Sequence, residues 1–137
     1  MDDGRIRRFS AAPSAADIEA IARSALQSLP EAFASKLGDV VLQVEEFADE
    51  ATLAEMGIDD PFDLTGLYEG IPLTERSVEH SGTLPDRIRL FRRPILDEWA
   101  AGEDSLEHLV THVLIHEAGH HFGLSDEDMH ALEESAA

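Results

Sequence analysis

Apolar residues recur along this chain at two spacings, one close to the helical period and one alternating, which predicts helices interleaved with short strands. Ser14-Ala15-Ala16-Asp17 reads as a capping box, and Ile18, Ile21, Ala25 and Leu29 follow at helical spacing. Pro30 suits a first helical position, Phe33 and Leu37 extend the apolar face, and Gly38 stops it. Val40–Val44 is short and β-branched, a first strand. A brief helix is expected over Glu50–Met56, ending at Gly57, then a loop over Ile58–Gly66 rich in Asp and Pro. Leu67–Leu73 is a second strand, and its Gly70 and Pro72 assign it to a sheet edge. After a polar loop near Glu79–Gly82, Arg87–Arg93 forms a third strand with Ile88 and Leu90 on one face. Pro94 then opens a helix carrying Ile95, Leu96 and Trp99.

The next helix has a different character. Asp104 with Glu107 looks like a capping pair, and Leu106, Leu109, Val110, Val113, Leu114 and Ile115 make most of its circumference apolar. Within it stand His116, Glu117 and His120, an HExxH pattern. A helix advances about 100° per residue, so histidines four apart share a face and can reach one ion, with the glutamate beside them. A charged glutamate and several histidines are costly to bury in such a helix without a partner, which an ion supplies. Gly123 permits the positive φ that reverses the chain and brings Asp126 back toward the imidazoles. Glu127, Asp128 and His121 could also reach around that turn.

This donor set suits Zn²⁺, with a fourth coordination position left for a water whose pKa falls to about 7. Glu117 would take the proton of that water as it attacks a carbonyl and return it to the leaving amine. His108, His112, His116 and His120 recur every four residues, but successive members drift by about 40°, so His108 points away from the ion. His108 and His112 are read as exposed or in a core hydrogen bond, and His121 as a cation at the helix C-terminus. Tyr68 is read as a packing residue, leaving the oxyanion donor unassigned.

Composition narrows the setting. The 137 residues suit one domain, over 15–132, between a leader at 1–14 and a tail at 133–137. Cysteine is absent, so any zinc must be held by nitrogen and oxygen. A net charge of -19 repels nucleic acid and anionic membranes, and neither is an expected partner. Three arginines near the start are followed by no apolar run of signal length, and the expected setting is the cytoplasm. Arg87, Arg89, Arg92 and Arg93 are expected to pair with surrounding carboxylates.

HExxHxxGxxD resembles the zincin metallopeptidases, in the type whose third protein ligand is the aspartate, here Asp126. The chain is similar to the small bacterial minimal zincins in Leu67-Tyr68-Glu69-Gly70-Ile71-Pro72-Leu73-Thr74-Glu75-Arg76, in Leu84–Ile88 and in Leu90–Pro94. The likeness runs from Leu64 to Asp128. It implies an α+β fold, a small mixed three-stranded sheet packed against the HExxH helix and other helices. It also implies a zinc peptidase acting on peptides or small proteins. Larger zincins place a methionine turn well downstream; Met129 is too close to the motif for that. The alternative is a non-catalytic binding or regulatory module with weak or structural metal. The oligomeric state, a homodimer included, is left open.

Overall fold

The computed structural model describes residues 11–37, 40–70 and 86–136. Most of the leader, Gly38, the second half of the second strand and the loop near Glu79 lie outside those residues. The chain runs α1 (Ala15–Gln27), α2 (Glu31–Ala34) continued by a 3₁₀ turn (Ser35–Leu37), β1 (Val41–Glu45), α3 (Glu50–Met56), a 3₁₀ turn (Pro61–Asp63) and β2 (Gly66–Glu69). There follow β3 (Arg87–Phe91), α4 (Arg92–Ala101), α5 (Leu106–Phe122) and α6 (Asp126–Ala136). This is the α+β architecture expected, with the sheet in the order β1-β3-β2. β1 runs parallel to β3 and β2 antiparallel to it, so β2 is an edge strand.

Local chemistry sets most boundaries. Ser14 and Asp17 form the reciprocal capping box of α1, and Asp49 caps α3 through Thr52 N–H at 3.2 Å. Three boundaries differ from the sequence reading. α4 begins at Arg92, because β3 pairing stops at Phe91 and Arg93 N–H turns to the Glu46 carbonyl at 3.1 Å. Pro94 therefore sits inside the first turn, where no N–H is required. α5 is capped by Ser105, whose hydroxyl accepts from His108 N–H at 3.0 Å, while Asp104 lies 3.5 Å from the His108 ring. Pro30 precedes α2 as its cap residue. The loop before β2 contains a 3₁₀ turn that Asp60 caps at Phe62 N–H.

β3 is the central strand and is covered on both faces. Ile88 and Leu90 point into the main core with Ile18 and Ala22 of α1 and Val110, Leu114 and Ala118 of α5. Phe91 packs on the other side with Ala48 and Leu64. Arg89 shares that second side and is only 5% exposed. A buried cation needs partners, and the surrounding elements provide them. Arg89 donates to Glu45 of β1 at 2.8 Å, Asp49 at 2.9 Å, Thr52 of α3 at 3.1 Å and Glu69 of β2 at 3.3 Å. Its guanidinium also lies 5.2 Å from the Phe91 ring centre. Burial works against this charge, but the bonds to Glu45 and Asp49 outweigh it and hold the guanidinium above its usual pKa. The Thr52 hydroxyl and Arg89 together hold Asp49 well below the carboxylate range.

Arg87, Arg92 and Arg93 pair as expected. Arg87 bonds Glu69 and Gln43, and Arg92 and Arg93 both reach Glu46. Arg92 also donates to the Pro13 carbonyl at 2.8 Å, which fastens the segment before α1. Among the described residues no helix is long and apolar enough to cross a membrane.

Replacing Arg89 with Met is expected to destabilise the fold by about 3 kcal/mol, since its carboxylate partners lose their common cation yet keep some solvent. Urea titration of the two proteins at pH 7 measures this; equal midpoints would show that the cluster contributes nothing.

Candidate functional site

The site grows from the uneven surroundings of α5. Leu106, Leu109, Val110, Val113, Leu114, Ile115 and Ala118 are buried, which leaves one open stripe. That stripe carries His108, His112, His116 and His120, all exposed. The sequence argument expected buried imidazoles; the structure buries only Glu117, at 8% exposure, beside an exposed histidine row. The helical period explains the split, because Glu117 follows His116 by about 100° and so turns inward. The His116 and His120 rings stand edge to face with centres 5.0 Å apart.

Glu117 sits where α5 meets β2. Gly66 allows this approach: a Cβ there would lie 2.8 Å from Val113 Cγ1 and 3.3 Å from Glu117 Cγ. Phe91 N–H bonds the Thr65 carbonyl across the β2–β3 pair at 2.9 Å, so alternation directs the main-chain groups of Gly66 and Tyr68 to the outer edge. Tyr68 N–H accordingly donates to the Glu117 carboxylate. The Nδ1 of His120 lies 3.3 Å from Glu117 Oε1. Burial pushes the Glu117 carboxyl above the usual range, and the charge of His116 and the Tyr68 N–H only partly offset it. The Tyr68 side chain packs against the main core, as expected.

Beyond the motif, Gly123 takes φ 69° and ψ 32° and closes α5 in the left-handed conformation the sequence called for. Leu124 N–H bonds back to the Gly119 carbonyl at 2.9 Å. α6 then returns along α5, with Met129 and Leu132 buried. Met129 rests on Gly119, where any Cβ would collide with its sulfur and Cγ. The sequence reading set Met129 aside as a methionine turn; its place is the packing between α5 and α6.

Between these helices lies a cleft of about 310 Å³, lined by His112, Ile115, His116, Asp126, Met129, His130 and Glu133. Two of the three expected ligands, His116 and Asp126, thus line one cleft, while His120 lies outside that lining, edge to face with the His116 ring and with its Nδ1 toward Glu117. Among the described residues, no three such donors converge into a set able to hold a metal ion. By type the donors fit zinc: two exposed imidazoles and a carboxylate that shares a cleft with the first of them, with no thiolate present.

Sequence reasoning missed His130 and Glu133 as cleft residues. The signal was available, since Asp126, Met129, His130 and Glu133 recur at helical spacing and so share a face of α6. His112, expected to be exposed or in a core hydrogen bond, is exposed, and its Nδ1 lies 2.8 and 2.9 Å from the Glu133 oxygens.

A family model described as zincin-like metallopeptidase matches residues 37–136, which include all three strands and the whole of α3 to α6. No curated protein matches the chain.

Gly66→Ala is expected to cost about 1–3 kcal/mol through overpacking against Val113 and Glu117, read as a lower melting temperature. For Glu117 the sign follows from its raised pKa. The folded state holds the proton more tightly than the unfolded chain, so stability is full below the ordinary carboxylate range and falls as pH rises through the raised value. Glu117→Gln should therefore stabilise the metal-free protein at pH 7.5 by about 1 kcal/mol. The gain should vanish in acid, below the ordinary carboxylate pKa, and thermal melts across pH test it; a gain that persists there contradicts the assignment.

Proposed function

Because the chain belongs to the zincin-like metallopeptidase family, we propose that it is a zinc-dependent peptidase. His116, His120 and Asp126 would hold the ion, and Glu117 would serve as general base. The observation that carries this reading is the position of Glu117: a buried carboxylate with a raised pKa, on the same helical turn as two exposed imidazoles.

Zinc, when bound, supplies Lewis-acid polarisation to a peptide carbonyl and to water. The protein's own groups do the rest. A carboxylate oxygen of Glu117 takes a proton from the attacking water and delivers it to the nitrogen of the departing amine. Its raised pKa suits that work, because it narrows the gap between the carboxylic acid and the amine it must protonate. Tyr68 N–H holds the carboxylate at the sheet edge, and the Gly66 approach keeps it packed beside Val113. An extended peptide would run along the outer edge of β2, which brings its carbonyl toward Glu117. A small domain offers few walls to such a substrate, so short or unfolded peptide segments suit it best.

A second reading, a non-catalytic module with weak or structural metal, draws on one observation. His120 turns its Nδ1 to Glu117 instead of joining Asp126 on the cleft wall.

Zinc-loaded protein incubated with a diverse peptide library separates the two. Cleavage should fall by about 10²–10⁴ in Glu117→Gln, with one zinc per chain retained by metal analysis, whereas His120→Ala should lose the zinc. Equal background cleavage in wild type and Glu117→Gln would leave only the second reading standing.

A further inference from the structure

The third proposed ligand lies on a different helix from the other two, so its position depends on how α6 is seated. The link between α5 and α6 is only Gly123 to Ser125, and Asp126 is the first residue beyond it. Met129 packed on Gly119 fixes the separation of the helices near that link. Two turns further along, His112 of α5 meets Glu133 of α6, with both carboxylate oxygens within 2.9 Å of Nδ1.

Glu133 is unusual for an acidic residue on a surface helix. Its side chain is 15% exposed, while that of neighbouring Glu134 is 71% exposed. A carboxylate turned inward needs a donor, and His112 is that donor. The pair also fixes register. The contacts 119 with 129 and 112 with 133 climb α6 as they descend α5, so the helices run antiparallel. Seven residues is two helical turns, or about 10 Å. Stepping back seven from Glu133 reaches Asp126, on the same face of α6. On α5, Gly119 stands between His116 and His120 on the chain, and Met129, about one turn from Asp126 on α6, packs on it.

We propose that the His112–Glu133 hydrogen bond is a positioning pair, which sets the register of α6 on α5 and thereby presents Asp126 to the two imidazoles. The proposal rests on the zinc reading above. Both residues line the cleft beside His116 and Asp126, and in this role they act through the helix that carries Asp126.

The test is zinc affinity of the full-length chain at fixed pH, measured by competition with a chromophoric chelator, beside melting of the metal-free protein. His112→Ala and Glu133→Ala should each weaken zinc by about tenfold. The double variant should be no weaker than either single one, because one interaction is lost in all three. His112→Gln keeps a donor and should recover most of the affinity. Glu134→Ala removes the same charge one residue away and should bind zinc as the wild type does. Wild-type affinity in Glu133→Ala, or an equal loss in Glu134→Ala, overturns the positioning role and leaves the zinc reading intact. Zinc binding by the wild type no tighter than by His116→Ala overturns both.

Discussion

A carboxylate in an otherwise apolar helix surface is the constraint around which this domain is arranged. Glu117 lies inward on α5 among Val113, Leu114 and Ala118, where burial alone would favour its neutral form. His116 and the Tyr68 N–H at the edge of β2 partly offset that burial, and the close approach of β2 requires the missing side chain of Gly66. The edge strand, the glycine and the antiparallel register with β3 all serve one hydrogen bond. The same burial that costs stability raises the carboxyl's proton affinity, so that cost and the proposed role as general base would have one origin.

On the far side of β3 the opposite solution appears. Arg89 is as buried as Glu117, yet it is surrounded by Glu45, Asp49, Glu69 and Thr52, and its charge is held firmly. One face of the sheet thus carries a saturated ionic cluster that joins β1, α3 and β2, and the other a sparsely satisfied acid. Contrast between the two decides which group is structural and which is chemically available. A chain with 29 acidic residues and 10 basic ones spends four of its arginines around this sheet. That concentration makes sense where strand, helix and loop must be fastened together.

The exposed histidine row shows how one helix serves two purposes. Its buried sides build the core, and its exposed stripe brings His112 and His116 to a cleft, with His120 one turn beyond. α6 forms the other wall, and its seat depends on Gly119 beneath Met129 and on His112 against Glu133. On that returning helix Met129 packs against the motif itself, over Gly119.

Much of this was legible in the sequence. Apolar periodicity gave α1, α3, α5 and all three strands, and the Ser14 and Gly57 boundaries followed from capping chemistry. HExxH spacing gave the imidazole pair on one face, since helical rotation determines it, whereas burial of Glu117 beside exposed imidazoles came from the packing of the helix against β2. Gly123 gave the reversal, because its conformation is a local property of the backbone. What the sequence could not determine was set by contacts between distant segments. Arg92 joins α4 because Glu46, far back in the chain, accepts from Arg93 N–H. Arg89 is buried because three carboxylates from separate elements meet it, and alternation by itself would have sent it to solvent. Glu133 and His130 reach the cleft because α6 folds back in one register on α5, a choice made by packing at Gly119 and by the bond to His112. Local spacing thus determined which residues could do chemistry, and only the tertiary structure decided which were buried, which were paired and which were left to face one another.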